Sequence, residues 1–157
     1  MSLVYFGSFD PPHNGHLNTY LKAQKELGSG IKVCICVGDL KKGLLTAEER
    51  LRIAQSLFPA DDIIVCGSRE SIVKTLTEAG KIVRGFRGQP DIDETMKIGK
   101  FYGVESLEHK LVFVKIDDEF YDVCSSGIKQ KFYSDEDYIK RALNSTGIEI
   151  LRSKELL

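Results

Sequence analysis

The chain has 157 residues, 42% apolar and 29% charged, a balance that excludes a disordered segment and fits one domain around one core. Lysine and arginine total 22 against 23 aspartates and glutamates, so the net charge of −1 lacks the basic surplus with which proteins grip a nucleic-acid backbone. No apolar run approaches the roughly 18 residues of a membrane helix, and no basic segment leads into an apolar stretch at the start, so neither membrane contact nor a secretory leader is expected.

Leu3–Phe6 is a short apolar run ending at Gly7 and predicts a buried strand. Asn14 to Leu27 turns helical, with Leu17, Leu21 and Ala23 at helical spacing, and Gly28-Ser29-Gly30 ends it. Ile31–Val37 is rich in β-formers. Thr46 and Glu49 form a capping box ahead of Leu51, Ile53, Ala54 and Leu57, and Pro59 stops that helix. Ile63–Cys66 predicts a strand, and Ile72, Val73, Leu76 and Ala79 a helix ending at Gly80. Lys81–Val83 reads as a short strand leading to Arg84. Asp91 to Tyr102 predicts a helix, Leu111–Ile116 a strand, and Ser134–Leu143 a helix capped by Ser134.

This alternation, with continuously apolar strands, predicts an α/β fold in which a parallel sheet carries helices on both faces. There is no repeat or linker, so residues 1–157 are expected to form a single domain. Cys34, Cys36 and Cys66 lie inside strand-like runs, and no cysteine pair has CxxC spacing. They read as reduced packing residues of a cytoplasmic protein.

Ligands of such sheets bind beyond the carboxyl ends of the strands. Gly7-Ser8-Phe9-Asp10-Pro11-Pro12-His13-Asn14-Gly15-His16-Leu17 occupies that place after the first strand. Gly7 permits a tight exit, Ser8 offers a hydroxyl and an amide, and Pro11 and Pro12 stiffen the connection. His13 and His16 bracket a helix start, where free amides and the helix dipole favour an anion. Gly15 leaves room for a nucleotide against the backbone. His-x-x-His with Asp10 could also ligate a metal, though that spacing alone is a weak zinc signal.

This stretch resembles the GxFDPxHxGH motif of the HxGH nucleotidyltransferase superfamily. Further segments are similar to the bacterial phosphopantetheine adenylyltransferases: Lys41 after the second strand, Thr46-Ala47-Glu48-Glu49-Arg50, Val83-Arg84-Gly85-Phe86-Arg87 with Asp91, and Cys124-Ser125-Ser126-Gly127-Ile128-Lys129. The resemblance implies a Rossmann-like nucleotidyltransferase fold. It also implies transfer of AMP from ATP to 4′-phosphopantetheine, giving dephospho-CoA and pyrophosphate, in the synthesis of coenzyme A. It implies catalytic roles for His16, Lys41 and Arg84, with Ser8, Lys41 and Arg84 on the acceptor. Ser8, Phe9, His13, Gly15, His16, Gly85, Phe86, Arg87, Thr95, Cys124, Ser125 and Ser126 are expected on ATP. Mg2+ held mainly by the ATP phosphates, and assembly as a homo-oligomer such as a hexamer, follow from the same resemblance.

The residues themselves suit this chemistry. An acceptor phosphate attacking the α-phosphorus needs alignment and charge neutralisation rather than a protein nucleophile. Arg84 and Arg87 offer forks for phosphate oxygens, Lys41 a point charge, and Ser125 and Ser126 hydroxyls before a helix. The chain departs from the pattern at Thr95, where the family has an acidic nucleotide contact, at Cys124 in place of a serine, and in the polar segment Gly67–Ile72. Those departures leave another phosphomonoester acceptor such as nicotinate mononucleotide, or a non-catalytic ATP-binding module, as alternatives.

Overall fold

The computed structural model describes residues 2–38 and 43–154. Five strands form one fully parallel sheet: β1 (Leu3–Gly7), β2 (Ile31–Cys36), β3 (Ile63–Cys66), β4 (Lys81–Phe86) and β5 (Leu111–Lys115), in the order β3-β2-β1-β4-β5. The chain first runs outward from β1 to β3, then returns to the other side of β1. The order therefore reverses between β1 and β4, and a crevice opens where their carboxyl ends diverge.

Helices α1 (Asn14–Leu27) and α2 (Ala47–Leu57) cover one face, and α3 (Arg69–Glu78), α4 (Gln89–Tyr102) and α5 (Leu107–Lys110) the other. Alternation along each strand assigns the two cores. Tyr5, Val33, Ile35 and Val83 pack beneath α1 and α2, with Tyr20, Ala54 and Phe58. Val4, Phe6, Cys34 and Ile82 pack against Ile72, Leu76, Tyr102 and Leu107. A third cluster joins α2 to α6 (Ser125–Lys131), α7 (Glu136–Ala142) and α8 (Ser145–Arg152) through Ile53, Ile128, Ile139 and Leu151. No described helix is long and apolar enough to cross a membrane.

The cysteines of the sheet are free and buried, with Cys34 Sγ 3.0 Å from Cys66 Sγ. The Thr46–Glu49 capping box is present in both directions, and α2 ends before Pro59. Several boundaries shift by one to three residues from expectation, α4 for instance starting at Gln89 rather than Asp91, and two of them have a clear local cause. β4 runs on through Arg84, Gly85 and Phe86, which pair with Phe113, Val114 and Lys115 of β5. The seventh helix is capped by Asp135, whose carboxylate accepts the Tyr138 amide, and not by Ser134. Ser134 instead donates its amide to Lys131 O and so belongs to the turn that closes α6.

Candidate active site

The segment between β1 and α1 is held by reciprocal hydrogen bonds. His13, the N-cap of α1, accepts the His16 amide on Nδ1 at 3.3 Å, and His16 Nδ1 accepts the His13 amide at 3.0 Å. Two histidines thus form a capping box, a role that usually falls to serine or threonine with glutamate. Their rings stack at 3.6 Å, and His16 lies 4.6 Å from the Phe9 ring. Because each Nδ1 is an acceptor, a neutral ring must carry its proton on Nε2. Burial keeps both rings neutral: it pushes His13 down to about 3, with help from the Arg87 charge. Burial also holds His16 well below the usual imidazole range, reinforced by His13, Arg84 and Arg87. The segment therefore presents uncharged N–H donors.

Gly15 serves this arrangement directly. A Cβ there would sit 2.9 Å from His13 Cε1, so the glycine makes room for the capping ring rather than only for a ligand. Phe9 has φ of 48°, a left-handed conformation uncommon outside glycine. Its buried ring is packed among Tyr5, His16 and Phe58, which holds the strained backbone in place. The Asp10–Pro11 peptide is cis. Buried Asp10 accepts the Leu44 and Leu45 amides at 2.7 and 2.9 Å, and lies 3.6 Å from Arg50 Nε and 3.8 Å from Lys129 Nζ. Its oxygens thus fasten the loop before α2 to the motif. Among the described residues no group of three His, Cys, Asp or Glu side chains could hold a metal ion.

Two cavities meet in the crevice. The larger, about 410 Å³, is lined by Ser8, Cys36, Gly38, Lys97, Ile98 and Tyr102 among others. The smaller, about 120 Å³, is lined by Phe9, His13, Gly15, His16, Gly85 and Arg87, with Tyr5 and Thr19. Gly7, Arg84 and Glu94 line both. Arg84 donates from Nη1 to Phe6 O at 2.8 Å and from Nε to Thr95 Oγ1 at 3.2 Å. Arg87 donates from Nη1 to Val123 O at 3.1 Å, tying β4 to the start of α6.

Of the residues expected from sequence, Ser8, Phe9, His13, Gly15, His16, Arg84, Gly85 and Arg87 converge on the cavities. Lys41 lies outside the described residues. Phe86 points to the opposite face of the sheet from Gly85, with its ring 5.9 Å from Phe113, and lines neither cavity. Thr95 is also absent from both linings: it is buried and spends its hydroxyl on Arg84 and on Asp91 O. Glu94, one residue earlier, lines both cavities, with Asp10 beside it in the larger and Asp91 in the smaller. Ser125 and Ser126 form the first turn of α6 instead of preceding it, and Cys124 is the N-cap, its thiol accepting the Gly127 amide at 3.4 Å. None of these three lines a cavity. Burial pushes the Cys124 thiol up, but Ser126, the Gly127 amide and Arg87 bring it below its usual value.

Sequence reasoning passed over Glu94, Lys97, Ile98 and Tyr102, although their three- and four-residue spacing on one helix was a usable signal. It also missed Arg50 as the buried partner of Asp10. Arg50 donates to the carbonyls of Leu45, Ser8 and Cys36.

Residues 4–131 match the family model described as cytidylyltransferase-like. The chain is similar to proteins named phosphopantetheine adenylyltransferase. The one from Bradyrhizobium is 31% identical over 81% of this chain and 82% of its own length. Those from Lactobacillus johnsonii and Brucella anthropi are 30% and 27% identical, over 83% and 81% of this chain and 80% and 82% of theirs. Among solved structures, Thermotoga maritima TmcAL bound with alpha-thio ATP superposes with a TM-score of 0.62 at 13% identity. That match covers 98% of this chain but only 56% of TmcAL, and it speaks to the fold.

Proposed function

Because this chain belongs to the cytidylyltransferase-like family and is a nucleotidyltransferase, we propose that it moves AMP from ATP to 4′-phosphopantetheine. The observation that carries this reading is the pair of cavities sharing Arg84. One cavity holds the two neutral histidines and Arg87, suited to a triphosphate. The other is larger, partly apolar and bordered by Glu94, Lys97, Ile98 and Tyr102 of α4, suited to an acceptor with a phosphate at one end and an amide-bearing arm. The relatives' names point to the same acceptor.

In this reading an acceptor phosphate oxygen attacks the α-phosphorus of ATP. A new P–O bond forms, the bond from the α-phosphorus to the bridging oxygen breaks, and pyrophosphate leaves with the electron pair. His16 Nε2–H meets the charge that develops on the transferring group without changing its own charge. Arg84 stands where the two ligands touch and draws their phosphates together against their mutual repulsion. Arg87, anchored on Val123 O, faces the nucleotide phosphates. The family resemblance assigns Lys41, outside the described residues, to the acceptor phosphate as a further cation. The donor set fits Mg2+ only as a companion of the phosphates, since the described side chains gather no cage and this ion keeps several waters. Bound there, it would offset phosphate charge.

The test is pyrophosphate release with ATP and Mg2+ on 4′-phosphopantetheine, nicotinate mononucleotide, and glycerol 3-phosphate with CTP. Release with 4′-phosphopantetheine alone supports the proposal. Release only with another acceptor overturns the substrate. ATP binding with no release from any acceptor would reduce the chain to a binding module.

A further inference from the structure

The first two turns of α4 hold Arg84 and Arg87 at once. Asp91 Oδ2 accepts the Arg87 amide at 2.7 Å and lies 3.9 Å from Arg87 Nε. Thr95 Oγ1 donates its proton to the Asp91 carbonyl at 2.8 Å and itself accepts Arg84 Nε–H at 3.2 Å. Thr95 is 3% exposed and touches neither cavity, whereas Arg84 lines both. With Nη1 on Phe6 O, the Arg84 guanidinium is fixed between α4 on one side and β1 on the other.

A hydroxyl suits this post. Donating to the helix carbonyl aims its lone pairs outward, so Arg84 Nε is steered in direction. A carboxylate would also steer it, but would pair with the guanidinium and offset the charge that Arg84 offers a phosphate. We propose that Thr95 is a positioning residue: it orients Arg84 toward the junction of the cavities while leaving its positive charge unspent. This rests on the adenylyl-transfer reading, in which the phosphates of both ligands meet at Arg84.

The full chain is compared with Thr95→Val and Thr95→Ser by NMR and by turnover. The Arg84 Nε–H resonance is identified by its absence in Arg84→Lys. It should exchange slowly with water in the wild type and in Thr95→Ser, and about tenfold faster in Thr95→Val. Turnover in the pyrophosphate assay should fall by about tenfold in Thr95→Val and recover in Thr95→Ser, with acceptor KM changed less than about threefold, because charge is retained and only orientation is lost. Equal exchange in the wild type and Thr95→Val overturns the proposal, as does unchanged turnover in Thr95→Val. If the wild type is silent with 4′-phosphopantetheine, the acceptor assignment falls instead. The exchange measurement still decides for or against Thr95, and turnover is read with whichever phosphomonoester is accepted.

Discussion

Replacing His16 separates its two tasks. In His16→Ala the Nε2–H donor facing the smaller cavity is lost, and removal of one preorganised donor of this kind costs about 100- to 1000-fold in turnover, or roughly 3–4 kcal/mol. The same change strips the His13 amide of its acceptor at 3.0 Å. A lost cap costs about 1 kcal/mol, and in a chain of this length that lowers Tm by roughly 2–4 °C. His16→Gln keeps the cap, because glutamine at the third helical position can reach back to the N-cap amide. It should therefore melt close to the wild type while turnover stays at least about tenfold down. The assay is pyrophosphate release at saturating ATP and 4′-phosphopantetheine, with thermal melts of all three proteins. A neutral donor also predicts kcat that stays level from about pH 6 to 9, whereas an imidazolium acid would fade above its ordinary pKa of about 6.5. His16→Ala turning over within about threefold of the wild type, or kcat collapsing above that pH, would refute the donor assignment.

Acid should destabilise the fold through His13, whose folded value of about 3 lies below the 6.5 of an unperturbed imidazole. A depressed pKa contributes stability that is complete above about pH 6.5 and lost as pH falls toward 3, by about 2 kcal/mol at pH 5. Urea midpoints at pH 7.5 and 5 measure it, and His13→Asn, which can still cap, should shrink the acid loss. Gly15→Ala gains up to about 1 kcal/mol of helix propensity but drives a methyl to 2.9 Å from His13 Cε1. Turnover should fall about tenfold without a rise in Tm; a more stable, fully active variant would contradict the packing argument. Asp10→Asn leaves buried Arg50 without its carboxylate, costing about 3 kcal/mol. The melt should drop by roughly 6–12 °C, and an unchanged melt would show that the carbonyls alone hold Arg50.

The fold was legible wherever local chemistry decided it. Asn14 and Leu27 bound α1 as expected because the helix start and Gly28 are signalled within a few residues. The Thr46–Glu49 box is likewise a local fact. β4 was read too short because arginine and glycine look foreign to a strand. They are tolerated at its carboxyl end, where Arg84 turns toward a cavity instead of a core. The Ser134 cap failed by one residue: both the Ser134 and Asp135 amides go to Lys131 O, and it is the Asp135 carboxylate that accepts the Tyr138 amide. In the site, residues carried by the Gly7–Leu17 stretch were visible because the stretch is contiguous. Thr95 and Glu94 were not, since neighbours on a helix point about 100° apart and one residue of phase decides which reaches the crevice. The ties from Arg84 to Thr95 and from Arg87 to Val123 join distant segments, and no spacing announces them.

The two-histidine cap also turns the interval between those residues into a ruler. Reciprocal bonds between an N-cap side chain and the third helical residue close only across one turn of helix. A single insertion or deletion between His13 and His16 would swing one ring about 100° around the axis, breaking the cap, the ring stack and the choice of tautomer together. The motif thus has little freedom to drift by small steps. Its letters are bound to a length, and the length is the pitch of the helix they begin.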